Sequence, residues 1–277
     1  MAEIPSITLN NGVDMPQVGL GVFQVPSEQT RAAVTSALEA GYRSIDTATV
    51  YGNEAEVGEA IAQSGVPRDE LFVTTKLWNS NQGYDETMRA LEASLTRLSM
   101  DYVDLYLIHW PVPKLDRYQD TWRAFEKLHA DGKIRAIGVS NFKPHHLDRL
   151  AESSDVMPAV NQIELHPYLQ QAESRQYHAE HGIVTEAWAP IGQGSGLLQD
   201  TTIAGIASKH GRTPAQVVLR WHVQLGNVII PKSVTPSRIR ENLDLFGFSL
   251  DDDDMAAIGD LDRDGRIGPD PDVLNVR

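Results

Sequence analysis

Eight short runs rich in valine, isoleucine and leucine recur along the chain, each followed by a turn and then by ten to fifteen residues with helical spacing. They are VGLGVF from Val18, RSIDTA from Arg43, LFVTTKL from Leu71, YVDLYLIHW from Tyr102, IRAIGVSN from Ile134, AVNQIEL from Ala159, IVTEAWAP from Ile183 and NVIIPKS from Asn227. Such alternation marks βα units and a parallel sheet. Eight units in 277 residues have the size and pattern of a (β/α)8 TIM barrel, with a doubly wound open sheet as the competing arrangement. Between the runs, Ser27 is placed to cap a helix ending at Gly41, and Met88, Leu91, Leu95 and Leu98 share one face of a helix over 85–98. Two additions exceed the bare repeat: SITLNNGVDMPQ reads as an N-terminal β-hairpin turning at Asn11-Gly12, placed to plug the barrel floor, and 213–226 reads as an extra helix before the last strand. Glycine and proline are scattered rather than pooled into a linker, so residues 1–277 read as one domain.

Composition narrows the function classes. With 41% hydrophobic and 22% charged residues, a chain of this length can bury roughly three quarters of its unfolded surface, which excludes disorder as its main state. A net charge of −14 opposes non-specific binding to nucleic acid or to an anionic membrane surface. The absence of cysteine excludes disulfides, cysteine nucleophiles and Cys-ligated metal centres. The start MAEIPSITLNNG has neither a basic nor an apolar targeting region, and no apolar run approaches the roughly 20 residues that cross a bilayer, so a cytoplasmic protein is expected.

Barrel chemistry sits at the C-terminal ends of strands. Here those ends are polar almost throughout: Asp46, Lys76, His109, Ser140-Asn141, Gln162 with Glu164, Glu186 with Trp188, and Lys232-Ser233. Buried apolar strands have no packing reason to finish this way. Asp46, Lys76 and His109 fall at adjacent strand ends, with Tyr51 on the loop after Asp46. A phenol gives up its proton near pH 7 only if its anion is stabilised; Lys76 would do so, Asp46 would keep Lys76 charged, and neutral His109 would orient a carbonyl. Together they suit proton delivery to an oxygen gaining negative charge.

GYRSIDTATVYGNEAEVG (41–58), KIRAIGVSNF (133–142) and IPKSVTPSRIRENLDL (230–245) resemble the three signature segments of the aldo-keto reductases, in order and spacing. The HWP, NQIELHP and WAPIGQG segments and the compact length look most like the prokaryotic 2,5-diketo-D-gluconate reductase subgroup. The resemblance implies Asp46, Tyr51, Lys76 and His109 as a catalytic tetrad with Tyr51 as proton donor. It implies NADPH (NADP+) as cofactor, with NADH used more weakly. Ser140, Asn141 and Gln162 would hold the nicotinamide carboxamide, and Trp188 would stack on the ring. Gly192, Gln193, Gly194 and Leu197 would approach the pyrophosphate, and Lys232, Ser233, Val234, Arg238 and Asn242 would bind the 2′-phosphate end. Thr235 stands where some relatives carry another arginine, which would soften the preference for NADPH. A monomer acting on a small aldehyde, ketone or diketo sugar acid is implied, with Phe23, Trp78, His109 and Trp110 at the substrate. The reaction would be carbonyl reduction, because the double-bond reductases of the family carry an acid where His109 stands.

Rival readings account for fewer residues. Gly19-Leu20-Gly21 opens a dinucleotide fingerprint that Gln24 breaks. His145-His146 and the pair Glu164 and His166 lack the spacing of a three-ligand metal set. Glu164 and Glu186 would serve as the carboxylate pair of a glycoside hydrolase, which leaves Tyr51 and Lys76 unexplained. A barrel that binds NADPH without catalysing, as a regulatory subunit, does not require all four tetrad residues. Only sixteen residues follow Leu261, so a shallow pocket with little lid material is expected.

The charge is unevenly spread. Over 250–272 nine aspartates face Arg263 and Arg266, a balance of −7, with Asp251 to Asp254 opening a final helix at the favourable end of its dipole. Over 227–242 Lys232, Arg238 and Arg240 face Glu241, a balance of +2. That reversal suits a polyanionic ligand.

Overall fold

The computed structural model describes residues 4–276. The sheet contains β3 (Leu20–Gly21), β4 (Ser44–Asp46), β5 (Phe72–Leu77), β6 (Val103–Ile108), β7 (Ile134–Ser140), β8 (Val160–Glu164), β9 (Val184–Trp188) and β10 (Val228–Ile229). Neighbours in sequence are neighbours in the sheet, and every pairing is parallel. Closure comes from a parallel bridge between Val18 and Ile229. The Gly19 N–H donates to the Ile229 carbonyl at 2.8 Å and the Ile229 N–H to the Gln17 carbonyl at 3.0 Å. This closed ring decides for the barrel over the open sheet. β5 and β6 are buried at every residue, as expected where helices cover one face of a parallel sheet and side chains fill the other.

The β1–β2 hairpin (Ser6–Thr8 and Asp14–Pro16) turns through Gly12, whose φ of +83° suits glycine. Leu9 and Met15 of the hairpin pack with Phe72, Ala136, Ala159, Val160 and Val228 at the entering ends of the strands, with Leu105 and Leu107 above them. Asn10 and Asn11 donate side-chain hydrogen bonds to the carbonyls of Pro158 and Arg135. The hairpin therefore seals the floor, and the opposite end holds the site.

Helix α1 (Ser27–Ala40) ends at Gly41 in the left-handed conformation, as expected, but its cap is Pro26; Ser27 is the first helical residue and makes no capping bond. Pro26 supplies a fixed φ of −57°, and its carbonyl already accepts from Gln29 and Thr30, so no side-chain cap is needed to set the entry. Helices α2 (Glu54–Gln63), α3 (Tyr84–Leu98), α4 (Tyr118–Ala130), α5 (Pro144–Ala151) and α6 (Ala172–Glu180) follow, and α3 buries Leu91, Leu95 and Leu98 while Met88 is only partly buried. Two helices fill the connection before β10. They are α7 (Thr201–His210), capped by Asp200, and α8 (Pro214–Gln224), capped by a Thr213/Gln216 box. α9 (Pro236–Glu241) and α10 (Asp252–Gly259) complete the chain's helices, and Asp251 caps α10 by accepting from the Asp254 N–H. Among the described residues no helix is long and apolar enough to cross a membrane.

The last residues do more than a short tail implies. Arg263 and Gly265 donate backbone bonds to the Tyr168 carbonyl, Ile267 and Gly268 donate to the Glu164 carboxylate, and Asn79 donates to the Val276 carbonyl. The tail is thereby strapped across the mouth from the end of β8 to the loop after β5.

Candidate active site

Asp46 ends β4, Lys76 lies one residue short of the end of β5 and Gln162 sits in the middle of β8; the barrel's curvature brings them to one point. Lys76, fully buried, donates from Nζ to Asp46 Oδ1 at 2.5 Å and to the Thr47 carbonyl at 3.0 Å, and lies 3.4 Å from the Tyr51 hydroxyl. Tyr51 reaches this point from a short 3-10 turn (Thr49–Tyr51) that follows β4. Gln162 Nε2 donates at 2.8 Å to Asp46 Oδ2 and at 2.8 Å to Glu186 Oε2. The His109 ring stands edge-on to Tyr51 at 5.7 Å and to Trp78 at 5.3 Å. The four residues expected to act together are therefore one cluster.

Burial sets the electrostatics. Burial disfavours the Lys76 ammonium, but the nearby Asp46 carboxylate and Tyr51 outweigh it, so Lys76 stays charged with its pKa raised. Burial also pushes the Tyr51 phenol above its ordinary value, with Lys76 pulling it back and Asp46 adding to the rise. The sequence led us to expect Lys76 to dominate; in this dry site desolvation of a phenolate outweighs one ammonium that Asp46 already neutralises. Tyr51 accordingly holds its proton at neutral pH. Burial, then Lys76, lowers the His109 pKa well below the usual imidazole value, so its ring is neutral there.

The next strand ends form a second, connected group. Asn141, at a left-handed φ of 64°, donates to the His109 carbonyl and to Ser140 Oγ, each at 3.0 Å, and accepts from Trp188 Nε1 at 2.8 Å. Ser140 Oγ donates to the Gln162 carbonyl at 2.8 Å. The Trp188 ring is thus held by its edge. Gly192, Gly194 and Gly196 all have positive φ in the loop after β9, where Gln193 donates to Gln24 at 3.0 Å and Leu197 is buried. Beyond β10, Lys232, Val234 and Arg238 are exposed while Ser233 and Asn242 are buried. Among the described residues neither Lys232 nor Arg238 makes an ion pair. A half-exposed indole held by its edge, a loop of positive-φ glycines and two unpaired cations in succession fit a flat ring, a diphosphate and a further phosphate.

The Aldo/keto reductase family model matches residues 17–263. The chain belongs to the aldo/keto reductase family. A glyoxal reductase of Bacillus subtilis is 53% identical over 97% of each chain, and methylglyoxal reductase DkgA of Salmonella typhimurium is 50% identical over 98% of each. Among solved structures, a mutant of Gox0644 in complex with NADPH superposes with a TM-score of 0.95 at 50% identity and covers 99% of each chain.

Of the residues expected at the substrate of this aldo/keto reductase, Phe23 lies 5.0 Å from the Tyr51 ring with about half its surface exposed, and Trp78 meets His109, whereas Trp110 is buried. The glycoside-hydrolase pair does not form. Glu164 spends both oxygens on the backbone N–H groups of Ile267 and Gly268, at 2.6 and 2.8 Å, and lies 3.0 Å from His166. These bonds hold its carboxyl below the ordinary range although burial opposes them. Glu164 is an anchor for the tail.

His145 and His146 meet Asp272 of the tail, with Nε2 atoms 2.9 and 3.2 Å from its Oδ1. His146 Nδ1 accepts from the Lys143 backbone N–H, which puts the neutral ring's proton on Nε2, and the Lys143 ammonium sits 2.6 Å from Asp272 Oδ2. A protonated Nε2 beside an ammonium makes an ionic clasp and a poor cation site. Sequence reasoning missed this clasp, whose partners are over a hundred residues apart, and missed the place of Glu186 beside Gln162. The latter is readable once β8 and β9 are paired, because Gln162 and Glu186 stand directly opposite each other.

Proposed function

We propose that this aldo/keto reductase reduces small aldehydes and ketones with NADPH, Tyr51 serving as proton donor. The observation that carries the reading is the line from buried Asp46 and Lys76 to partly buried Tyr51, beside neutral His109. When bound, NADPH supplies the hydride that the carbonyl carbon accepts. The protein's part is the oxygen end. His109 donates a hydrogen bond to the carbonyl and fixes its direction, and Tyr51 gives its proton to the oxygen as negative charge develops there. Lys76, kept charged by Asp46, then stabilises the phenolate left behind. Ser140, Asn141, Gln162 and Trp188 would hold the nicotinamide, the loop Gly192, Gln193, Gly194 and Leu197 the diphosphate, and Lys232, Ser233, Val234, Arg238 and Asn242 the 2′-phosphate end. All four tetrad residues being assembled favours catalysis over a silent NADPH-binding regulatory role.

The charges at the site favour a neutral substrate. Among the described residues Lys76 is the one cation within hydrogen-bonding reach of Tyr51, and it is committed to Asp46; Phe23 packs on Tyr51 and Trp78 on His109. A sugar-acid carboxylate would find no free partner there, while a small 2-oxoaldehyde needs none. The names of the Bacillus and Salmonella relatives agree with this choice. A cytoplasmic location belongs to the same proposal, and the family resemblance adds a monomer to it.

The test is kcat/KM across methylglyoxal, 2,5-diketo-D-gluconate, xylose and aromatic aldehydes with both cofactors. Methylglyoxal is expected to exceed 2,5-diketo-D-gluconate, and tight NADPH binding with no turnover on any carbonyl would favour the regulatory role instead. Lys232→Gly with Arg238→His should weaken NADPH about 10–100-fold and leave NADH nearly unchanged, since each charge-assisted bond contributes roughly 1.5–3 kcal/mol before solvent screening. Equal weakening of both cofactors would overturn the 2′-phosphate assignment.

A further inference from the structure

Glu186 is a fully buried carboxyl that the mechanism above does not use. It sits on β9 directly opposite Gln162 on β8, and its Oε2 shares the single Gln162 amide nitrogen with Asp46 Oδ2, both at 2.8 Å. Its other oxygen, Oε1, has no hydrogen-bond partner among the described residues. A buried group with an idle oxygen next to the catalytic cluster is costly unless it serves the site.

Two carboxyl groups facing one amide fix which way that amide points. Only the nitrogen of Gln162 can donate, so the nitrogen turns inward to Asp46 and Glu186 and the carbonyl oxygen is the end left for a ligand. Without Glu186 the amide would keep one anchor and could rotate about it. We propose that Glu186 is a positioning residue: it clamps the Gln162 amide between itself and Asp46 so that Gln162 presents an acceptor to the nicotinamide carboxamide. The proposal rests on the cofactor reading given above.

The charge state follows from the surroundings. Asp46 on β4, Lys76 on β5, Tyr51 after β4 and Gln162 on β8 are the charged, titratable and polar groups that face Glu186. Its neighbour in register on β10 is the apolar Val228. Burial and then the Asp46 carboxylate push the Glu186 carboxyl up to about 8, with the Gln162 bond and Lys76 opposing them. One carboxylate beside one ammonium is a balanced pair; a second carboxylate there is in excess. Glu186 is therefore neutral at pH 7, and Asp46 is the partner of Lys76. The folded protein keeps a proton that an unfolded chain releases near the ordinary value of 4.5. Stability contributed by this neutral group is complete below about 4.5 and declines as pH rises from there to about 8.

Glu186→Gln and Glu186→Leu separate the two parts of the proposal. Glutamine retains an acceptor for Gln162 and cannot ionise; leucine removes the acceptor. NADPH dissociation constants from quenching of tryptophan fluorescence at pH 6.5 are expected to stay within about threefold of wild type for Glu186→Gln and to rise about tenfold for Glu186→Leu, the size of one ordinary hydrogen bond. The melting temperature of Glu186→Gln without cofactor should gain on wild type progressively between pH 5 and pH 8.5. Wild-type NADPH affinity in a folded Glu186→Leu protein would overturn the clamp. A wild-type pH slope of the melting temperature in Glu186→Gln would overturn the neutral state of the carboxyl, and loss of NADPH affinity in Glu186→Gln, which keeps the acceptor, would overturn the clamp whether or not the leucine variant folds. Failure of wild-type protein itself to bind NADPH would instead sink the cofactor reading, and the clamp's role toward the nicotinamide with it.

Discussion

The barrel carries a buried aspartate near each of its ends, and the two are used in opposite ways. Near the floor, Asp104 on β6 has no exposed surface and accepts from Arg68 at 2.6 Å, Arg135 at 2.7 Å and the Val73 N–H at 2.9 Å. Both oxygens are engaged by cations whose other faces reach water. At the mouth, Asp46 is just as buried, but its partners lead onward: Lys76 to Tyr51, and Gln162 to Glu186. Both oxygens of Asp104 are satisfied, though Arg68 Nε beside it has no partner, whereas at the mouth the Glu186 carboxyl and the His109 ring leave Oε1 and Nδ1 without partners among the described residues. Burial of charge alone does not mark a site. What marks the mouth is that its buried carboxylate leads through Lys76 to a phenol that holds a transferable proton.

The contrast breaks if the open network proves to be structural. Tyr51→Phe removes one hydroxyl at the mouth and is expected to lower kcat about 10²–10⁴-fold, the usual contribution of a general acid. The NADPH dissociation constant should stay within about threefold and the melting temperature should hardly move. Near-normal turnover by this variant would remove Tyr51 from the mechanism and, with it, the distinction between the two aspartates.

At the floor the expectation is reversed. Asp104→Ala leaves the Val73 N–H without its acceptor and separates two arginines from their shared anion, but those arginines are 24% and 44% exposed and can turn to water. The loss is therefore expected at about 2 kcal/mol rather than the larger figure for a charge left fully buried. A fall of roughly 5 °C in melting temperature should follow, with kcat/KM at 25 °C unchanged. A large loss of activity in the folded variant would show that the floor is coupled to the chemistry.

The sequence shows most of the mouth and little of what holds it together. The eight runs, the hairpin at Gly12 and the polar strand ends are legible because each is a local pattern of period, turn chemistry or position. Closure of the barrel is not legible, since it rests on a single bridge between Val18 and Ile229 beside strands two residues long. Nor is Glu164's role: as a lone carboxylate at a strand end it looks as chemical as Asp46, and only the tail's arrival 103 residues later shows otherwise. Glu186 is the converse. Its meaning depends on which residue of β8 stands opposite, and register between parallel strands joined by a helix leaves no mark in either run.

The smallest effect concerns the strap, where mouth and tail meet. Gly268 donates its N–H to Glu164, and a Cβ built on it would lie 2.6 Å from Cη2 of Trp188 and 3.1 Å from Glu164 Oε2. Trp188 cannot yield freely, because Asn141 holds its indole N–H at 2.8 Å. Gly268→Ala should therefore either tilt the indole or lift the strap from Glu164, and in both cases weaken NADPH binding several-fold, with little change in kcat. The same chemical change at Gly259, in α10, meets nothing within 4 Å and should leave NADPH binding untouched while stabilising the helix by roughly 0.5–1 kcal/mol. Matched NADPH dissociation constants for the two variants would mean that the tail merely rests on the mouth. A difference confined to Gly268→Ala would mean that the tail sets the plane of the Trp188 ring, on which the proposed cofactor would stack.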